Sequence, residues 1–151
     1  MLGNSKISRV IAIAFLSSSL AACTTTGGYF SPQASLDAAN LAEPTADAVA
    51  ADMVARLAEH VGPGTGTIAL KADNTPFATA FDKHLRGWGY AVDPAATGQG
   101  AIPIAYTVDA LDAVVIARIS TPNVELARQF QATTTGAVAS SPLSVMKRGE
   151  T

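Results

Sequence analysis

The chain has 151 residues, a formal charge of −2, one cysteine and few aromatic side chains. That balance argues against the basic surface of a nucleic-acid binder. A single cysteine excludes an intramolecular disulfide and a cysteine-based metal site.

The leader comes first. Lys6 and Arg9 precede an apolar run over residues 10–16, then three serines, then Leu20-Ala21-Ala22-Cys23. A charged segment, a short apolar segment and small residues before a cut make a secretory signal. The apolar run is far shorter than the roughly 20 residues that span a bilayer. Its closing tetrapeptide resembles the lipobox of bacterial lipoproteins. The resemblance implies cleavage between Ala22 and Cys23, a diacylglyceryl group on the Cys23 thiol and acylation of the new amine. A thiol is the side chain most readily alkylated near neutral pH. Each buried CH₂ of the acyl chains then contributes about 0.8 kcal/mol to membrane attachment. Residues 1–22 are expected to be a signal peptide. The remainder, without Lys6 and Arg9, carries a charge of about −4 and is long enough for one domain.

Residues 23–43 read as the lipidated cysteine and a flexible tether. Thr24 to Gly28 and Ser31-Pro32 are small or polar, and Tyr29, Phe30 and Leu36 interrupt them. A flexible chain of this length has a root-mean-square reach of about 25 Å. The folded domain is expected over residues 44–151.

Residues 44–61 have the helical period. Val49, Ala50, Met53, Val54, Leu57 and Val61 form one apolar stripe, with Asp47, Asp52, Arg56 and Glu59 mostly on the other side. Pro44 suits the first turn, and Gly62-Pro63 ends the helix. A short strand follows over residues 67–71. Asn74 or Thr75 can cap a second helix that opens at Pro76. Its stripe is Phe77, Ala80, Phe81, His84, Leu85 and Trp88, and Asp82 can pair with Arg86 across one turn. Residues 90–93 give a second strand, making residues 67–93 a βαβ-like or split unit.

The remainder reads as β. Ile102, Ile104, Tyr106 and Val108 alternate along a strand, and Pro103 places that part at an edge or near the start. A turn is expected over residues 109–112, a returning strand over 113–120, and another turn at Thr121-Pro122-Asn123. Residues 124–135 form a long strand; the helical period of their first half is outweighed by the short flanking turns. Residues 136–142 are expected to be loose, with a last short strand over 143–146. The whole is an α+β domain: two helices packed on one face of a mostly antiparallel sheet of about four to six strands.

Chemistry is harder to find. The run Gly62-Pro63-Gly64-Thr65-Gly66-Thr67 lies between a helix and a strand, the reverse of a phosphate-binding loop, and lacks its Lys-Ser/Thr pair. His60 and His84 fall on different helices and make no ligand pair for zinc. Asp109 and Asp112 are both accounted for by a hairpin turn. No serine has the G-x-S-x-G context of a nucleophile. Arg118 and Arg128 stand among apolar strand residues, where each can face solvent, pair with Glu125 or another acid, or mark a contact surface. Trp88, between Gly87 and Gly89, is expected chiefly as core packing, with a partner surface as the alternative. No catalytic residue, metal site or cofactor emerges, so the chain is expected not to be an enzyme.

Several runs carry a resemblance. They are residues 56–64 (Arg-Leu-Ala-Glu-His-Val-Gly-Pro-Gly), 67–70 (Thr-Ile-Ala-Leu), 85–92 (Leu-Arg-Gly-Trp-Gly-Tyr-Ala-Val) and 102–106 (Ile-Pro-Ile-Ala-Tyr). Residues 120–126 (Ser-Thr-Pro-Asn-Val-Glu-Leu) and 141–146 (Ser-Pro-Leu-Ser-Val-Met) extend them. With the leader and Cys23 they resemble the TrbH family of conjugal-transfer lipoproteins. The family implies a lipid-anchored component of a type IV secretion, mating-pair formation apparatus that moves plasmid DNA. It implies no enzymatic activity. On that basis the domain is expected to bind other channel proteins, with room for an oligomeric ring by analogy with related secretion systems, while the charge balance leaves no direct contact with nucleic acid expected. Its one functional residue to carry over is the lipid-bearing cysteine, Cys23. Thr24 at the next position, rather than Asp, favours the outer membrane facing the periplasm under enteric-type sorting. The competing readings are an envelope lipoprotein that regulates a cell-wall enzyme and a periplasmic ligand-binding or enzymatic lipoprotein.

Overall fold

The computed structural model describes residues 34–64 and 66–147. Two helices and eight strands follow the order β1 (Leu36–Asp37), α1 (Glu43–Val61), β2 (Thr67–Leu70), α2 (Pro76–Gly87), β3 (Ala91–Val92) and β4 (Ala101–Leu111). Then come β5 (Val114–Ser120), β6 (Val124–Thr133), β7 (Gly136–Ala139) and β8 (Ser144–Lys147).

Both helices begin and end for local reasons. Pro44 and Pro76 occupy first-turn positions, where a missing N–H costs nothing. Thr75, extended as a residue before proline must be, accepts a hydrogen bond from the Ala78 N–H at 3.2 Å. Gly62 ends α1 at φ +83, its N–H bonded to the Ala58 carbonyl at 3.0 Å. The stripe Val49, Ala50, Met53, Val54 and Leu57 is fully buried, as its period requires.

The sheet turns on β4. The first half of β4 runs parallel to β2, from Thr67 opposite Ala101 to Leu70 opposite Ile104. Its second half pairs antiparallel with β5, from Ala105 opposite Ser120 to Leu111 opposite Val114. Pro103 lies before the β5 pairing starts, so its lost N–H breaks no ladder on that side. β2, α2 and β3 form a parallel βαβ unit. β6 pairs antiparallel with β5 and, on its far side, with β7 and then β8 in succession. α1 packs on β5, β6 and β7, while α2 packs on α1 and β3. Ile68, Ile104, Tyr106, Ile119, Leu126 and Phe130 face the helices and close the core.

This is the α+β domain that the sequence indicates, with a mostly antiparallel sheet enlarged by β1 and β7. Three local readings change. Residues 136–139, expected to be loose, form β7, which pairs with β6 and packs on α1 beside Ala48. The Thr45 hydroxyl also donates to the Gly136 carbonyl at 3.2 Å. The β4–β5 turn needs only Asp112, at φ +54, and Ala113. Asp109 therefore remains within β4, opposite Ile116. The segment before α1 is not a free tether as far as residue 43. Leu36 and Asp37 pair with Thr107 and Val108, and Leu41 is buried in the core.

Candidate functional site

The expected lipidation and cleavage positions, Cys23 and Ala22, lie outside the described residues. Trp88 lies within them, and the structure corrects the expectation that it fills the core. The side chain is 43% exposed.

The cause is the way α2 ends. The Gly89 N–H bonds to the Arg86 carbonyl at 3.0 Å, and the Tyr90 N–H reaches back to the Leu85 carbonyl at 3.2 Å. Gly89 takes φ +92, which glycine adopts without strain. This double closure is a Schellman motif, whose apolar contact joins the third-last helical residue to the residue two past the cap. Here those residues are Leu85 and Tyr90, and both are buried. Tyr90 takes the interior place that the stripe's period offered to Trp88.

Tyr90 also ties the two helix ends together, since its hydroxyl donates to the Gly62 carbonyl. Burial raises its pKa. The loop after α1 lies against the loop after α2: a Cβ on Gly89 would stand 3.4 Å from the Gly64 Cα. Gly66 packs on the loop before β4, where a Cβ would fall 2.6 Å from the Gly100 carbonyl oxygen. Because β2, β3 and β4 are parallel, their amino-terminal loops share one end of the sheet. Trp88 stands exposed at that end among backbone-rich turns. A large, stiff aromatic ring there can supply contact area at little entropic cost, and tryptophan is enriched among the residues that dominate protein interfaces.

Four other singled-out side chains, those of His84, Arg86, Arg118 and Arg128, have structural partners. His84 Nε2 lies 3.1 Å from Asp47 Oδ1, and Lys83 donates to the same oxygen at 2.9 Å. The hydrogen bond from Lys83 leads the causes that lower the Asp47 pKa. Arg86 grips Asp82 through two nitrogens, as the spacing predicted, and donates to the Val92 carbonyl at 3.1 Å. Arg118 pairs with Glu125 at 3.2 Å, and Arg128 with Asp52. Among the described residues, no group of three His, Cys, Asp or Glu side chains is placed to hold a metal ion.

Sequence reasoning missed a buried polar centre. The Tyr106 hydroxyl donates to Asp73 Oδ1 at 2.6 Å, and Thr75 donates to the same oxygen at 2.8 Å. The Asp37 N–H donates to Asp73 Oδ2. Burial, then the charge and hydrogen bond of Asp73, push the Tyr106 phenol far above the ordinary tyrosine range. Burial alone would raise Asp73, but hydrogen bonds from Tyr106, the Asp37 N–H and Thr75 outweigh it and hold the carboxyl below its usual value. Phe77 and Phe81 pack edge-on against the Tyr106 ring, with centroids at 4.9 and 5.4 Å. The alternation of Tyr106 with Ile104 and Val108 announced a buried tyrosine but not its acidic partners.

Among the described residues, no helix is long and apolar enough to cross a membrane. No solved structure matches the chain. A protein of Sinorhizobium fredii strain NGR234, named probable conjugal transfer protein TrbH, is 43% identical over 112 residues, covering 70% of this chain and 76% of that protein. The profile of the family described as conjugal transfer protein TrbH matches residues 24–149. With the α+β build and the sequence runs already described, these matches place the chain in the TrbH family of conjugal transfer proteins.

Proposed function

We propose that the protein is a lipid-anchored structural component of a conjugative type IV secretion apparatus, working through protein contacts rather than catalysis. The observation that carries this reading is the sole cysteine, Cys23, closing a signal-like leader on a chain of a conjugal-transfer family. Acyl chains on Cys23 would hold the domain at the envelope, under the outer membrane. The exposed Trp88, among the glycine turns at one end of the sheet, would meet another protein of the channel.

The test is Cys23→Ser in the native host. The expected result is a folded domain recovered from the soluble envelope fraction and a fall in plasmid transfer. A variant that stays with the membrane, or that is soluble and transfers plasmid undiminished, overturns the reading. Mass spectrometry of the wild-type amino terminus adds a direct check, since a bare thiol on an uncleaved chain is incompatible with it.

A further inference from the structure

Residues 35–41, between Cys23 and α1, are held to the domain by few bonds, and one buried carboxylate sits at their centre. Asp37 is only 4% exposed. Its Oδ1 accepts the Ala39 and Asn40 N–H groups at 3.0 and 3.1 Å, while its Oδ2 is buried with no hydrogen-bond partner. The Asp37 N–H is bound to the carboxylate of Asp73, which brings a second acid against the same strap. The titratable groups facing Asp37 are Asp73, from the loop before α2, and Tyr106, from β4, acting through Asp73. No ion pair joins Asp37 or Asp73 to a cation among the described residues. The remaining attachments are the two-residue pairing of β1 with β4, the Ala38 and Ala39 N–H groups on the Val108 carbonyl, the Ser35 hydroxyl on the Tyr106 N–H, and the buried Leu41.

A buried carboxylate with an orphaned oxygen beside a like charge is costly when ionised and cheap when neutral. We propose that residues 35–41 form a proton-sensitive strap, which binds the domain most tightly with Asp37 protonated and loosens when Asp37 ionises. If Cys23 is lipidated, as proposed above, opening the strap adds its own residues to the connection between the membrane and the body. The docked strap leaves residues 24–34 as the connection; the opened strap extends it to the start of α1, adding about 30 Å of contour at roughly 3.4 Å per residue.

The sign follows from linkage. Burial, the leading cause, raises the Asp37 pKa and outweighs the Asn40 and Ala39 N–H groups that lower it, and the Asp73 charge adds to the rise. Docking then favours the protonated form. The stabilisation is complete below the ordinary carboxylate value and is lost as pH rises through the higher folded value. Asp73 is shifted the other way and titrates below that window, so it does not set the change.

Amide hydrogen exchange on the full-length chain in detergent tests this, with rates corrected for intrinsic exchange. Between pH 4 and pH 7 the strap amides should lose protection, because ionising Asp37 withdraws the stabilisation that docking the neutral acid supplies. Peptides from β5 and β6 should not follow. Asp37→Asn should keep the strap protected and flatten its dependence on pH. Leu41→Ala, which loosens the strap without touching the titration, should lower protection at every pH and keep the slope. Equal protection at both pH values in the wild type, or an unchanged slope in Asp37→Asn, overturns the proposal. The readout does not depend on Cys23, so its failure would leave the anchoring proposal standing.

Discussion

Arg128 of β6 reaches across the core boundary to Asp52 of α1, its Nη1 standing 2.9 and 3.0 Å from the two carboxylate oxygens. The two side chains are 20% and 26% exposed, so water screens the pair only in part. Arg128 Nε also donates to the Ser141 carbonyl at 3.1 Å, between β7 and β8. One guanidinium thus joins the long helix, the central antiparallel strand and the last turn of the sheet.

Arg128→Ala should therefore lower stability by about 1–3 kcal/mol, because the Ser141 carbonyl loses its donor and Asp52 keeps only the longer pairing with Arg56 at 4.0 Å. Urea unfolding of the variant measures this. In a double-mutant cycle with Asp52→Asn, the two losses should be strongly non-additive. Additive losses would mean that the pair is not coupled.

Trp88→Ala should cost less stability than truncating a core aromatic, because Trp88 is 43% exposed and stands outside the buried cluster. Exposed substitutions usually stay within about 0.5 kcal/mol. Plasmid transfer should fall nonetheless if the ring is a contact point. A loss of 3–5 kcal/mol, the usual cost of truncating a core aromatic, would return Trp88 to the interior.

Tyr106→Phe keeps the ring that Phe77 and Phe81 pack on and removes the hydroxyl on Asp73. The expected cost is about 1–3 kcal/mol at neutral pH, since Asp73 loses a donor. Two pH windows should change. The raised phenol pKa supplies stability that is complete below the ordinary tyrosine value of 10.0 and is lost as pH climbs above it; this loss should vanish in the variant. Asp73 is depressed, so its contribution is present above the ordinary value of 3.8 and lost on acidification. That acid loss should shrink. Thermal melts from pH 3 to pH 11 would show both, and an unaltered profile would count against the hydrogen bond.

Two glycines make an opposed pair. Gly66→Ala forces a methyl to within 2.6 Å of the Gly100 carbonyl oxygen at φ +83 and should cost about 1–3 kcal/mol. Gly87→Ala adds a methyl to the last residue of α2, where nothing lies within 4 Å, and should gain about 0.5–1 kcal/mol. Paired denaturation curves would test the contrast, and equal effects would contradict the geometry of the glycine-rich end.

What the sequence by itself determined was set by short-range rules. The two stripes of period 3.6, the prolines that open both helices, the alternation from Ile102 to Val108 and the turn at Thr121 depend on neighbours a few residues apart. The folded chain keeps them, except for Trp88 at the end of the second stripe. Thr121 shows why: its hydroxyl accepts the Asn123 and Val124 N–H groups at 3.2 and 2.9 Å, a local closure that needs no other element. The tertiary structure decided what depends on distant partners. Trp88 was displaced from the core by Tyr90, because the turn after α2 set which residue points inward. β7 formed because the segment pairs with β6 and packs on α1, which lies far before it in the chain. The strap at Asp37 and its meeting with Asp73 and Tyr106 join segments that no period or spacing relates. Burial and pairing across such separations follow from packing the whole sheet, and a linear pattern holds no record of them.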